Sequence, residues 1–121
     1  MNEGTKKECV RALCEYERKK VLLENLSDTL STYEAIGHCD TDKIRCQVMM
    51  LSCEIRRVER ALDALGKSER LALEHFYIRR SDGAAEAVCE ELSVERSQAY
   101  RYRSSGLEGF ALAFCKGEDG R

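Results

Sequence analysis

The chain has 121 residues, of which 35% are charged and 43% apolar; it contains no proline and its formal net charge is −2. One domain with an extension fits that length, and dense charge without proline favours long solvated helices over a β-sandwich or a disordered tail. Near-balanced charge excludes a generic polyanion binder, so any nucleic-acid contact has to come from a local patch.

No run approaches the ~18 apolar residues of a membrane span, and no apolar N-terminal signal region is present. The expectation is a cytoplasmic protein without membrane contact. Seven cysteines stand at 9, 14, 39, 46, 53, 89 and 115, accompanied by two histidines. No two of them form Cys-x-x-Cys, so the spacing of adjacent zinc ligands is missing, and the odd count leaves one thiol over in any complete pairing. They read as small thiols in a reducing compartment, with no metal and no cofactor expected.

In chain order, Cys9, Leu13, Tyr16, Leu23, Leu26, Leu30 and Tyr33 form an apolar stripe that Lys20 interrupts. The stretch "KKECVRALCEYERKK" mixes acids with its bases and reads as a solvated face. "IGHCDTD" follows: Gly37 can end the first helix, and Asp40 or Thr41 can cap the second. Next, Ile44, Val48, Leu51, Ile55, Val58, Leu62 and Leu65 alternate steps of four and three, a coiled-coil type seam on a long helix. Cys39, Cys46 and Cys53 fall seven apart, away from that seam, and read as a second packed face. Residues 1–66 are therefore expected to be a long antiparallel helical hairpin, serving as a spacer or for dimerisation.

After Leu65 the rhythm changes. Gly66 punctuates, Ser68 is a candidate cap, and "SERLALEHFYI" predicts a short helix with Leu71, Phe76 and Tyr77 or Ile78 inward. "RRSDG" reads as a loop and "AAEAVCEEL" as a helix. Glu86 stands three past Gly83, where its carboxylate can reach back to a free backbone N–H. "SVE" is a tight turn. A last helix is expected from Arg96 to about Cys115, with "KGEDGR" fraying off. The fold class is all-α, with residues 67–121 as the second domain.

Two helices joined by so short a turn form the helix-turn-helix unit, whose second helix enters the major groove of DNA. At about 100° per residue, Ala99, Tyr102, Gly106, Phe110 and Ala113 share one side of the last helix, with Leu107 and Phe114 at its edge. Ser97, Arg101, Ser104 and Glu108 lie opposite, flanked by Gln98 and Tyr100, with Arg96 and Arg103 near the rim. The outward face is polar and basic at its N-terminal end, the end that meets base edges in this motif. Arg96, Ser97, Gln98, Tyr100, Arg101 and Ser104 are the candidate base-reading residues. Arg79, Arg80, Arg103 and the free N–H groups near Gly83 are the candidate phosphate contacts. Glu86, Glu90, Glu91 and Glu95 have to point mostly away from a duplex. Cys89 and Gly106 suit a close approach of helices.

The stretch "LGKSERLALEHFYIRRSDGAAEAVCEELSVERSQAYRYRSSGLEGFALAFCKG", Leu65 to Gly117, resembles region four of bacterial sigma factors. It is similar above all to the phage and prophage transcription regulators of the ArpU and RinA kind. Glu69 and Arg70 meet the Glu-Arg that opens that family's first helix, and Phe76, Tyr77 and Ile78 its aromatic-Tyr-Ile end. Val88 to Val94 match its short second helix, before an arginine-rich recognition helix. The resemblance implies base reading at Arg96, Ser97 and Arg101 and phosphate contacts around Gln98 and Tyr100. Glu95 replaces the usual Ser or Thr cap, Ser93 the common turn glycine, and Ser97 a frequent glutamate. The sigma regions that melt promoter DNA are not visible, so the resemblance implies a regulator and not a complete sigma factor.

The expected function is that of a sequence-specific transcriptional regulator of phage or prophage type, with double-stranded DNA, RNA polymerase and a second copy through the hairpin as partners. Two alternatives stay open: a phage DNA-packaging recognition subunit, and a protein-interaction module contacting RNA polymerase or a sigma factor. An enzyme is not expected. The side chains of His38 and Cys39 diverge, no third orienting group or phosphate loop accompanies them, and His75 reads as a packed or surface histidine.

Overall fold

The computed structural model describes residues 2–38 and 40–118, and every regular element among them is helical. Helix α1, Glu3–Ala35, opens on Asn2, whose side chain accepts the Thr5 N–H at 2.7 Å. It ends where Gly37 takes a positive φ of 75°, and the His38 ring stacks on Tyr33 with 4.6 Å between centroids. Helix α2, Asp42–Asp63, follows. Thr41 holds the cap position and is buried, but its hydroxyl caps no backbone N–H; it accepts from the Arg45 guanidinium at 3.5 Å instead.

Side-chain pairs join the two helices in opposite senses. Glu34 meets Arg45 at 2.6 Å, Lys19 meets Glu54 at 2.9 Å, and the Tyr16 hydroxyl donates to Glu59 at 2.6 Å. Lys20, which breaks the apolar stripe in sequence, lays its ammonium 5.1 Å from the centre of the Tyr16 ring and so continues the contact. Burial on the α2 seam is graded. Ile55, Val58 and Leu62 are buried, whereas Ile44, Val48 and Leu51 are only half-buried. The cysteine repeat does not make a second packed face: Cys46 and Cys53 are exposed, and Cys39 lies outside the described residues.

Helix α3, Lys67–Leu73, starts from Gly66, which places Ser68 within the helix and not at its cap. It runs directly into a wider turn, Glu74–Ile78, closed by the Arg79 N–H on the Glu74 carbonyl at 2.8 Å. That i→i+5 winding shifts the phase of the buried face. Ala72, Leu73 and His75 are buried, whereas Leu71, expected inward, is only half-buried. Helix α4, Ala84–Leu92, begins after Gly83. Glu86 does not reach back to the Gly83 N–H; its carboxylate pairs with Arg96 at 3.0 Å. Ser93 adopts the left-handed conformation, φ 56°, and the Val94 N–H closes on the Cys89 carbonyl at 3.2 Å. Helix α5, Arg96–Glu118, follows α4 after three intervening residues; the expected fray at 116–118 is helical instead, and residues 119–121 lie outside the described region.

One core joins both sides of residue 66. Cys9 and Leu13 of α1, Val58, Ala61 and Leu62 of α2, Leu73 of α3, and Leu107, Phe110 and Ala111 of α5 form a single buried cluster. Burying Phe110 completely is worth about 1.5–3 kcal/mol. Arg57 locks the end of α5 in place, donating from Nε and Nη2 to the Phe114 carbonyl at 3.1 and 3.0 Å. Its guanidinium also lies 3.9 Å from the centre of the Phe114 ring. Two glycines set how closely α5 approaches. A Cβ on Gly106 would sit 3.2 Å from both the Glu69 carbonyl oxygen and Leu73 Cγ, and one on Gly109 would lie 2.8 Å from Leu65 Cδ2.

Candidate nucleic-acid interface

The first two turns of α5 are held from behind by a small separate cluster. Ala72, Val88 and Ala99 are its buried members, with Phe76, Cys89, Leu92 and Tyr102 packed around them. Small residues at Ala99 and Cys89 let α4 and α5 draw close, and Tyr102 faces that cluster as its place on the helix wheel requires. The inward face of α5 is therefore the one the sequence indicates. Ala99, Gly106, Leu107 and Phe110 are buried, and Ala111, which the wheel reading left out, joins them at 7% exposure.

The opposite face stays open. Ser97, Arg101 and Ser104 are exposed, and together with Gln98, Tyr100 and Glu108 they line one shallow hollow along the helix. Arg101 has no carboxylate partner among the described residues, so its guanidinium, a planar fork of N–H donors, is available to a ligand. The other arginines of this segment are engaged within the chain. Arg96 pairs with Glu86 and donates to the Tyr100 hydroxyl at 3.5 Å; that hydroxyl, with Glu86, holds its guanidinium above the ordinary arginine range. Arg103 is half-buried, 5.0 Å from the centre of the Phe76 ring and 4.9 Å from that of Tyr100, and these two rings are themselves 5.5 Å apart.

This stack is a platform that sequence reading missed. Its signal was present in the aromatic residues at 76, 77, 100 and 102, but the wider turn at Glu74–Ile78 decides which of them meets Arg103. Below it, buried His75 sits 2.8 Å from Glu91 through Nε2, tying the wide turn to α4. Burial pushes the Tyr77 phenol up from its ordinary range, and the nearby Arg103 charge partly offsets that. Ser105 donates to Glu69 at 2.5 Å and pins the middle of α5 to α3.

The acidic residues are divided. All four glutamates are exposed, but Glu86 and Glu91 are paired with Arg96 and His75, whereas Glu90 and Glu95 have no ion-pair partner among the described residues. The candidate phosphate contacts are not gathered at one place. Arg79, Arg80 and Gly83 are exposed around the turn before α4. Arg79 lines a different hollow, with Tyr16, Glu59, Asp63, Arg70 and Glu74. Arg80 has a positive φ of 50°, the left-handed conformation that suits a tight turn.

Among the described residues no group of three His, Cys, Asp or Glu side chains is placed to hold a metal ion, and no helix is long and apolar enough to cross a membrane. No family model, no curated protein and no solved structure matches the chain.

Proposed function

We propose that this protein is a sequence-specific, non-enzymatic DNA-binding transcriptional regulator of the phage or prophage kind. In this reading α4 and α5 with their three-residue turn form a helix-turn-helix related to sigma region four. The α1–α2 pair forms a helical hairpin that carries it and presents a surface to RNA polymerase or to a second copy. The observation that carries the reading is the division of α5: a buried face fixes its orientation while Ser97, Arg101 and Ser104 stay exposed on the other. Arg101 donates to a guanine edge, Ser97, Gln98 and Ser104 flank it, and Tyr100 supports the rim. Arg79, Arg80 and the backbone N–H groups near Gly83 meet phosphates.

Selection of bound duplexes from a random pool tests the proposal directly, and it should return a defined motif. On a selected site, Arg101→Ala should cost about 1–3 kcal/mol and relax preference at one base pair. Arg79→Ala or Arg80→Ala should weaken all sequences alike and flatten the salt dependence. An Arg101→Ala protein with unchanged affinity and preference would refute the assignment of the reading face.

A second reading has its own observation. Arg96 is paired with Glu86, Arg103 is held between two rings, and Glu95 is exposed beside the start of α5. That leaves Arg101 as the chief open cation of the segment and suits a module that grips a protein, a sigma factor or RNA polymerase. Binding insensitive to salt would favour this second reading, because displaced counterions make phosphate contacts weaken as salt rises.

A further inference from the structure

Helix α2 carries two stripes. The inner one, Ile44 to Leu62, faces α1. The outer one consists of Asp42, Cys46, Met49, Cys53, Arg56 and Arg60, again in alternating steps of four and three, and every one of these residues is exposed. Met49 is 63% exposed and Met50 beside it 65%. Such spacing lines these side chains up in one row along the helix, and among the described residues nothing packs on it. The far part of the arm is thinly covered: among the described residues from Cys14 to Ser52 the only buried one is Thr41, while Val21, Leu22 and Ile36 lie open.

The outer stripe is complementary to itself when reversed. Its N-terminal end is acidic, its C-terminal end is basic, and its middle is Met49 and Cys53. We infer that a second copy of this chain packs antiparallel along the outer face of α2, about a two-fold axis that crosses this face at the height of position 51. In that register Asp42 lies opposite Arg60 of the partner subunit. Cys46 lies along the stem of the partner's Arg56, and Met49 meets the partner's Cys53 in the central layers. A parallel pairing would instead set acid against acid at one end and arginine against arginine at the other.

Neither charge is strongly engaged within the chain. The Asp42 side chain is 93% exposed and is touched only by Arg45 at 3.3 Å, an arginine held more closely by Glu34 at 2.6 Å. Arg60 has no acidic partner among the described residues. Arg56 makes only local bonds, to the Ser52 carbonyl at 3.4 Å and to Cys53 Sγ at 3.7 Å. The seven-residue spacing of Cys46 and Cys53 thereby gains a role as small, soft seam residues.

The inference does not rest on DNA reading, and its test contains no DNA. Sedimentation equilibrium of the full chain over a range of concentrations should give a monomer–dimer equilibrium. Met49→Glu should weaken association about tenfold or more while leaving the helical circular dichroism unchanged. Asp42→Arg and Arg60→Asp should each weaken it, and the double exchange Asp42→Arg/Arg60→Asp should recover most of the loss, because the pair is restored with its sign reversed. A monomer at the highest concentration, a Met49→Glu dimer as tight as the parent, or a double exchange no better than the single variants would each overturn the proposal.

Discussion

At the base of the molecule, where α1 and α2 meet α3 and α5, Cys9, Leu13, Leu73 and Phe110 are completely buried. Along the far half of the same two helices, Leu23, Leu26, Leu30, Val48 and Leu51 are half-buried, and Met49 and Met50 are open. On α2 the apolar spacing is as regular in the arm as at the base. Periodicity thus tells which side of a helix seeks a neighbour, and the number of neighbours decides how dry that side becomes. Two helices alone cover one stripe each; at the base a third and a fourth helix close the remaining sides.

The largest consequence concerns stability. Phe110→Ala should lower the unfolding free energy in urea by about 3–5 kcal/mol, whereas Leu30→Ala should cost about 1 kcal/mol. Equal costs would mean that the arm is as tightly packed as the base. Amide exchange gives the same contrast residue by residue, with arm amides opening first.

Next come the two glycines of α5. Gly106→Val should cost about 1–3 kcal/mol, because the added methyl groups run into the Glu69 backbone carbonyl. Gly109→Ala should cost far less, since the closest atom there is the end of the Leu65 side chain, which can swing away. Thermal unfolding of the two variants distinguishes a rigid helix crossing from a yielding one.

Alkaline pH acts on the base as well. Burial first, and then the neighbouring Cys115 thiol, push Cys9 up to about 11 from 9.0. Below pH 9 both folded and unfolded chains hold this proton and the contribution is intact. As the pH rises from 9 through about 11 the unfolded chain ionises more readily, and stability falls by about 2 kcal/mol. Cys9→Ala should show a shallower decline over that window. The smallest effect belongs to the turn after α4: Ser93→Gly should raise stability by up to about 1 kcal/mol, read as a higher melting temperature, by relieving a left-handed serine.

The inward face of α5 was legible because a single helix obeys one period throughout: Ala99, Gly106 and Phe110 recur where a buried stripe demands them. The seam of α2 was legible for the same reason. The ends of elements were harder, since a cap is a competition between neighbouring donors and acceptors. Ser68 lost to Gly66 because the helix starts two residues earlier, and Glu86 found a full positive charge in Arg96 in place of a backbone N–H. In the candidate site, the exposure of Ser97, Arg101 and Ser104 could be read from spacing. The capture of Arg103 by Phe76 and Tyr100 could not, because it joins residues on different elements across a turn of irregular winding.

That irregular winding has a consequence for how the chain tolerates change in length. The loop carbonyl-to-amide span at Glu74–Arg79 accommodates one residue more than an ordinary helical turn. Removing a single residue there would let the backbone revert to the regular screw, and because the i→i+5 turn closes with five residues what an ordinary turn closes with four, the elements that follow would keep nearly the same orientation relative to α3. A one-residue deletion within 74–78 is therefore a local loss, milder than the same deletion inside α2 or α5, where everything beyond it would turn by about 100°.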